Sequence, residues 1–225
     1  MPLKGGRAEL REIDRWADGV GWIAYPDEQM QRASHALVGD DGLWVVDPVD
    51  APGLDDLLAE FGDVAGVAVC LDRHERDAGT VAARHDAPVY VPEWMDGVAS
   101  SFDEPVERFG GELGDSGYRV RRVRDASLPP WQEAALYTDE TLLVPEAVGT
   151  ASFFRAGSER LGVHPMLRPI PPRRALAGLD PDRVLVGHGE GVVTDAANAL
   201  RDALDGARRR LPAAYAQMVR EMVLG

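Results

Sequence analysis

Residues Val64–Thr80 read Val-Ala-Gly-Val-Ala-Val-Cys-Leu-Asp-Arg-His-Glu-Arg-Asp-Ala-Gly-Thr, and the fold turns on them. Val64–Leu71 is an unbroken apolar run of strand length, the pattern of a strand buried on both faces. It stops at a polar run, Asp72-Arg73-His74-Glu75-Arg76-Asp77. Asp77–His85 then reads as a helix, and Pro88–Val91 as a strand. Upstream, Leu54, Leu57, Leu58 and Phe61 lie on one stripe of a helix over Gly53–Phe61. Before that helix, Leu43–Val46 is a short apolar strand. The order β-α-β-α-β predicts an α/β layered domain.

Working outward, Val20–Tyr25 and Ala33–Val38 are apolar runs, and Gly39-Asp40-Asp41-Gly42 joins the second of them to Leu43–Val46. Gly and Asp in a sharp turn between apolar runs predict a hairpin. Asp47-Pro48 ends the third strand, because proline cannot donate to a ladder. Asp96–Ser116 reads as loop. Tyr118–Val123, Ala134–Tyr137 and Leu142–Val144 read as strands, the last two joined by the turn Thr138-Asp139-Glu140. Gly149–Gly178 is irregular and holds Pro165, Pro169, Pro171 and Pro172. Phe153, Phe154, Met166 and Leu167 mark it as an excursion of the same domain. Val184–Val186 is the last strand. Thr194 is the expected cap of a helix to about Arg210, and Pro212 starts a final helix to Val223.

The chain has 225 residues, with Lys plus Arg 24 against Asp plus Glu 38, and a formal charge of −14. The length fits one domain over residues 1–225. The charge argues against nucleic acid and anionic membranes as partners and leaves a small molecule as the expected substrate or ligand. There is no apolar run long enough for a transmembrane helix. Met1 to Arg15 is charged and lacks the apolar core of a signal peptide, so the expected location is the cytoplasm. Cys70 is the single cysteine, which excludes an internal disulfide and a cysteine-rich zinc module. Lys4 is the only lysine. An acidic, lysine-poor surface suits high salt, where counterions screen self-repulsion; a GC-rich genome gives the same composition.

No Gly-x-Ser-x-Gly elbow or Walker A loop is present, and Gly187–Gly191 has the wrong spacing for a dinucleotide fingerprint. Arg208-Arg209-Arg210 reads as helix C-terminal charge. Arg119, Arg121, Arg122 and Arg124 read as the solvated face of a strand. His35, His85, His164 and Cys70 read as structural.

Four segments place polar residues directly after buried strands: Asp47, the run Asp72–Asp77, Glu146, and Gly187-His188-Gly189. In layered α/β folds, ligands gather at strand ends. Carboxylates and imidazoles converging there make a metal site. Each residue also has a plainer reading. His188 suits a turn histidine bonded to backbone, and His74 a solvated one. Asp72 and Asp77 suit helix caps, and Glu146 a surface acid.

The order and spacing of these segments resemble the metallo-β-lactamase fold family, a four-layer αββα sandwich of metallohydrolases, over most of the chain. Ser34–Val38 with Leu43–Asp47 resembles the opening hairpin that ends in the family's Asp. Val67–Thr80 resembles the strand and signature loop His-x-His-x-Asp-His-x-Gly-Gly. Ala134–Glu146 resembles the strand pair before the bridging Asp, and Val184–Gly189 the late Leu-x-Gly-His-Gly strand end.

The loop departs from that pattern. With Gly79 on the first loop glycine, Asp72 and His74 fall on the first two histidines, Arg76 on the Asp, and Asp77 on the third histidine. Pro129 falls on the next metal histidine, Glu146 on the bridging Asp, and His188 is unchanged. The resemblance therefore implies Asp72, His74, Asp77, Glu146 and His188 as candidate metal ligands, with Asp47 as structural support. It implies one zinc, manganese or iron ion, or none, since a dinuclear centre would sit beside a permanent guanidinium. A single ion would still acidify a bound water. Arg76 is the expected counter-ion of Asp77 and Glu146, standing in for the second metal. Two functions follow: a hydrolase-like enzyme with a reduced metal site, or a non-catalytic relative whose cleft is structural or binds a ligand or protein partner.

Overall fold

The computed structural model describes residues 7–103 and 105–224, with side chains through residue 217. Lys4 and the first six residues of the charged N-terminal stretch lie outside the described residues, as does Glu104.

The first sheet runs in sequence order, β1 (Arg11–Trp16), β2 (Gly19–Ile23), β3 (Ala33–Gly39), β4 (Gly42–Val46), β5 (Val64–Ala68), β6 (Val89–Pro92) and β7 (Glu107–Phe109). β1 to β4 are antiparallel, and β4 to β7 are parallel. Helices α1 (Leu54–Ala59), α2 (Ala78–Arg84) and α3 (Asp96–Ala99) make the crossovers. The second sheet pairs β8 (Arg119–Ser127), β9 (Pro130–Tyr137) and β10 (Thr141–Val144) antiparallel, with β13 (Arg183–Val186) parallel to β10. β11 (Val148–Gly149) and β12 (Gly162–Val163) form a small separate ladder, followed by a 3-10 turn at Pro165–Leu167 and by α4 (Arg173–Leu176). Helices α5 (Ala196–Gly206) and α6 (Leu211–Leu224) end the chain.

Side-chain alternation makes the layers. Leu43, Val45, Val67 and Val69 pack outward against Leu54, Leu57, Leu58, Ala78 and Val81 of α1 and α2. Trp44, Val46, Ala68 and Cys70 point the other way and meet Ala134, Leu136, Leu143 and Leu185 of the second sheet. Ala135, Leu142, Val144, Val184 and Val186 pack on Leu176, Leu200 and Leu204 of α4 and α5. Three apolar cores between four layers, two of helices and two of sheet, make the αββα arrangement. It explains why the central strands read as continuous apolar runs: both of their faces are core. Cys70 lies in that core, fully buried.

Several local expectations need correction. β1 has no sequence signal, because Ile13 is its one buried core residue. The stretch expected to be loop, Asp96–Ser116, contains α3 and β7. Thr194 does not cap α5; Asp195 stands at that position with φ 52 and makes no side-chain cap bond, and the helix stops at Gly206. The hairpin β8–β9 runs on to Ser127 and Pro130, so Pro129 is exposed at its tip. The arginines of β8 are mostly solvent-facing, as expected.

Candidate metal centre

The strand ends of both sheets meet at one edge. There the Ala33 N–H donates to the Gly187 carbonyl at 2.9 Å, and the Gly189 N–H donates to the Gln31 carbonyl at 2.8 Å. Asp47 follows β4, the polar loop Asp72–Asp77 follows the strand run of β5, Glu146 follows β10, and His188 follows β13. Gly187 is required by closeness: a Cβ there would stand 2.3 Å from the Pro145 carbonyl oxygen and 3.1 Å from the His74 ring.

This edge brings three candidates together. The metal-binding atoms of His74, Glu146 and His188 all lie within 4.8 Å of one another. They are 4%, 7% and 5% exposed, so His74 is not a solvated loop residue and Glu146 is not a surface acid.

Each has further partners that fix its chemistry. Arg76 Nη2 is 3.1 Å from His74 Nε2. A guanidinium has only donors, so Nε2 must accept and the ring proton sits on Nδ1. Nδ1 then donates to Asp47 Oδ2 at 2.9 Å. Asp47 Oδ1 accepts the Cys70 N–H at 2.8 Å, so this carboxyl links the His74 ring to the strand run of β5. Burial pushes the Asp47 carboxyl up to about 7, against the pull of Arg76 and the Cys70 amide. Burial, with Arg76, Arg73 and Arg32 nearby, holds His74 well below the usual imidazole range. His188 is likewise held low by burial, His74 and Arg76. His188 Nδ1 donates to the Met30 carbonyl at 3.0 Å, and its Nε2 is buried without a partner among the described residues. The backbone-bonded turn histidine and the candidate ligand are thus the same residue, one nitrogen for each role.

Arg76 is half-buried, with its guanidinium turned inward, and is placed by a left-handed backbone, φ 46. Its Nη1 donates to the carbonyls of Ala33 at 2.7 Å and Asp47 at 2.8 Å, and its Nη2 reaches the Gly187 carbonyl at 3.3 Å. Burial lowers it to about 10, so it stays charged at neutral pH. The expected ion pairs with Asp77 and Glu146 do not form among the described residues. Glu146 Oε2 accepts instead from Arg73 Nε at 2.8 Å. Burial raises Glu146, and Arg73 opposes that rise.

The remaining candidates stand aside. Asp72 Oδ2 accepts the Gln132 N–H at 2.8 Å, and its Oδ1 pairs with Arg73. Asp77 Oδ2 accepts the Asp50 N–H at 2.9 Å and caps no amide of α2. Two residues the sequence did not single out as site residues join instead. Arg73 lies over the Trp131 ring at 4.2 Å. His164 Nε2 is 3.6 Å from Glu146 Oε1 and packs on Trp131, Phe153 and Phe154.

The donor set does not fit a divalent ion as it stands. A metal ligand needs a free lone pair. The His74 lone pair holds a guanidinium hydrogen, and Glu146 is neutralised by Arg73. Among the described residues the His188 Nε2 and Glu146 Oε1 lone pairs are free, and the second of these belongs to a carboxylate already paired with a guanidinium.

No family model and no curated protein matches the sequence. Solved structures do match. The DIM-1 metallo-β-lactamase exposed to ceftazidime superposes with a TM-score of 0.56 at 13% identity, covering 90% of this chain and 100% of that one. The TMB-1 enzyme gives 0.60 at 13%, covering 90% and 99%. A metallo-β-lactamase from Pontibacter korlensis gives 0.57 at 10%, covering 88% and 99%. With the layer order and the strand-end cluster already in place, these likenesses show that the chain has the fold of the metallo-β-lactamases.

Proposed function

We propose that this chain is a hydrolase-like protein of the metallo-β-lactamase fold that has given up the two-metal centre, and that arginine holds its old active-site position as a structural or ligand-binding cleft. The contact between Arg76 Nη2 and His74 Nε2 carries this reading. It puts a fixed positive charge on the nitrogen a metal would take, where a divalent ion would be repelled. Arg73 on Glu146 supports it from the other side. The test is elemental analysis of protein purified without chelator, followed by calorimetric titration with zinc and with manganese. The expected result is weak binding of at most one equivalent. Tight binding of two equivalents overturns the reading and restores a dinuclear hydrolase.

A second reading is favoured by His188, whose buried Nε2 has no partner among the described residues. In it, Arg76 swings away and one zinc, manganese or iron ion binds at His74, Glu146 and His188, giving a metal-dependent hydrolase of a small molecule. One tight equivalent in the same titration selects this reading over the first.

A further inference from the structure

The outer face of the second sheet carries an unexplained concentration of positive charge. Many arginines elsewhere in the described residues, Arg84, Arg173, Arg183 and Arg210 among them, sit against carboxylates. That is the expected state in a chain of charge −14. Arg121, Arg124 and Arg174 have no ion pair among the described residues, and all three line one groove of about 600 Å³ between β8 and α4.

The register of β8 explains how they converge. Arg121 stands opposite Ala135 and Arg124 opposite Glu133, with a register shift between Arg122 and Arg124. Residues three apart in a regular strand face opposite sides of the sheet. The extra residue of a bulge cancels that alternation and puts both arginines on one face. Their ring contacts agree. Arg121 lies over Tyr137 at 5.1 Å and Arg124 over Trp131 at 6.0 Å, and both rings alternate with Ala135 and Glu133 along β9. Arg122, opposite Ala134, lies over Trp94 and pairs with Asp125, and this mutually neutralised pair also lines the groove. α4 brings Arg174 to the facing wall, beside Leu167, Ile170 and Pro171.

Two further features point to a ligand. Arg124 Nε is buried and has no hydrogen-bond partner among the described residues. Ile170 is 75% exposed at the groove, so the wall opposite the guanidiniums is apolar and open.

We propose that this groove binds a small, multiply charged oxyanion, a phosphoryl chain or a polycarboxylate, through Arg121, Arg124 and Arg174. Guanidinium forks match phosphate and carboxylate oxygens two at a time. Laying two of them over Tyr137 and Trp131 restricts their rotamers before the ligand arrives, which lowers the entropy lost on binding. In an acidic protein, a local positive cleft is where an anion is drawn in. The site lies on the helix side of the second sheet and shares only the Trp131 ring with Arg73 and His164 of the candidate metal centre.

The experiment titrates the full chain calorimetrically with sodium tripolyphosphate and, separately, with citrate, at low salt and again in molar potassium chloride. The expected result is one equivalent bound at low salt, weakened in molar salt. The tighter of the two probes assigns the ligand to phosphates or to carboxylates. Arg121→Gln, Arg124→Gln and Arg174→Gln should each weaken binding about tenfold. Arg15→Gln, on β1 and paired with Glu12 and Glu60, should leave it unchanged. Thermal melts equal to the parent establish that the variants are folded. No binding of either probe, or equal weakening by Arg15→Gln, overturns the proposal.

Discussion

Arg73 Nε lies 2.8 Å from Glu146 Oε2, across 73 positions of sequence, and this pair joins the loop after β5 to the end of β10. The arginine is 39% exposed at its side chain and the glutamate 10%. The pair is therefore half screened, and most of its weight is the burial of the carboxylate.

Arg73→Ala should destabilise the protein by about 1–3 kcal/mol at neutral pH, because it leaves a buried acid unpaired. Burial already raises Glu146 above its ordinary 4.5. A raised acid favours folding below its unfolded pKa and loses that advantage as pH rises through the folded one. The penalty of Arg73→Ala should accordingly shrink on acidification toward pH 4, where Glu146 takes up a proton. Urea melts at the two pH values read it, and equal penalties at both would contradict it.

Removing Arg76 should expose what it covers. Arg76→Ala loses four hydrogen bonds to Ala33, Asp47, Gly187 and His74, and should lower stability by about 2–4 kcal/mol in chelator. The same change frees His74 Nε2, so zinc should raise the melting temperature of the variant more than that of the parent. A variant with unchanged stability and unchanged zinc uptake would make Arg76 a surface residue in effect.

Glu133 gives a second pH test. It is fully buried; its Oε1 accepts the N–H groups of Glu146 and Ala147, and its Oε2 accepts the Trp131 indole N–H. Burial nonetheless pushes it up to about 7. With the folded value above the unfolded 4.5, the parent should lose stability relative to Glu133→Gln as pH rises from 4.5 to 7, by about 1–3 kcal/mol. Parallel stability profiles for the two proteins across that range would show that the three donors keep Glu133 ionised throughout.

The −14 surface predicts a salt response. Melting temperature should climb as potassium chloride rises to molar concentration, because screening removes self-repulsion. A midpoint that is flat or falling would assign the lysine-poor composition to codon usage.

The layer order was legible because a strand buried on both faces has to be apolar throughout, and Val64–Leu71, Leu142–Val144 and Val184–Val186 are. His74, Glu146 and His188 were legible because each follows such a strand. Asp72 and Asp77 misled, since a polar run does not disclose where its chain reverses. Arg76 takes φ 46 in the middle of it, and Asp77 is turned toward the Asp50 amide. Pro129 misled because counting back from Ala135 assumes a short strand. The pairing of Arg124, Asp125 and Ser127 with β9 carries the hairpin beyond the position where a loop was expected. His164 and Arg73 join the site through contacts with Glu146 that no local pattern encodes.

The carbonyls that Arg76 gathers belong to the start of β3, the end of β4 and the end of β13, so one side chain clasps both sheets at their shared edge. A fold clasped by an ion takes its rigidity from the surrounding metal supply and loses it to any stronger chelator. A clasp written into the chain is made when the protein is translated, in every copy and in any medium. This edge should stay closed under metal starvation, in conditions where a metalloenzyme of the same architecture would loosen.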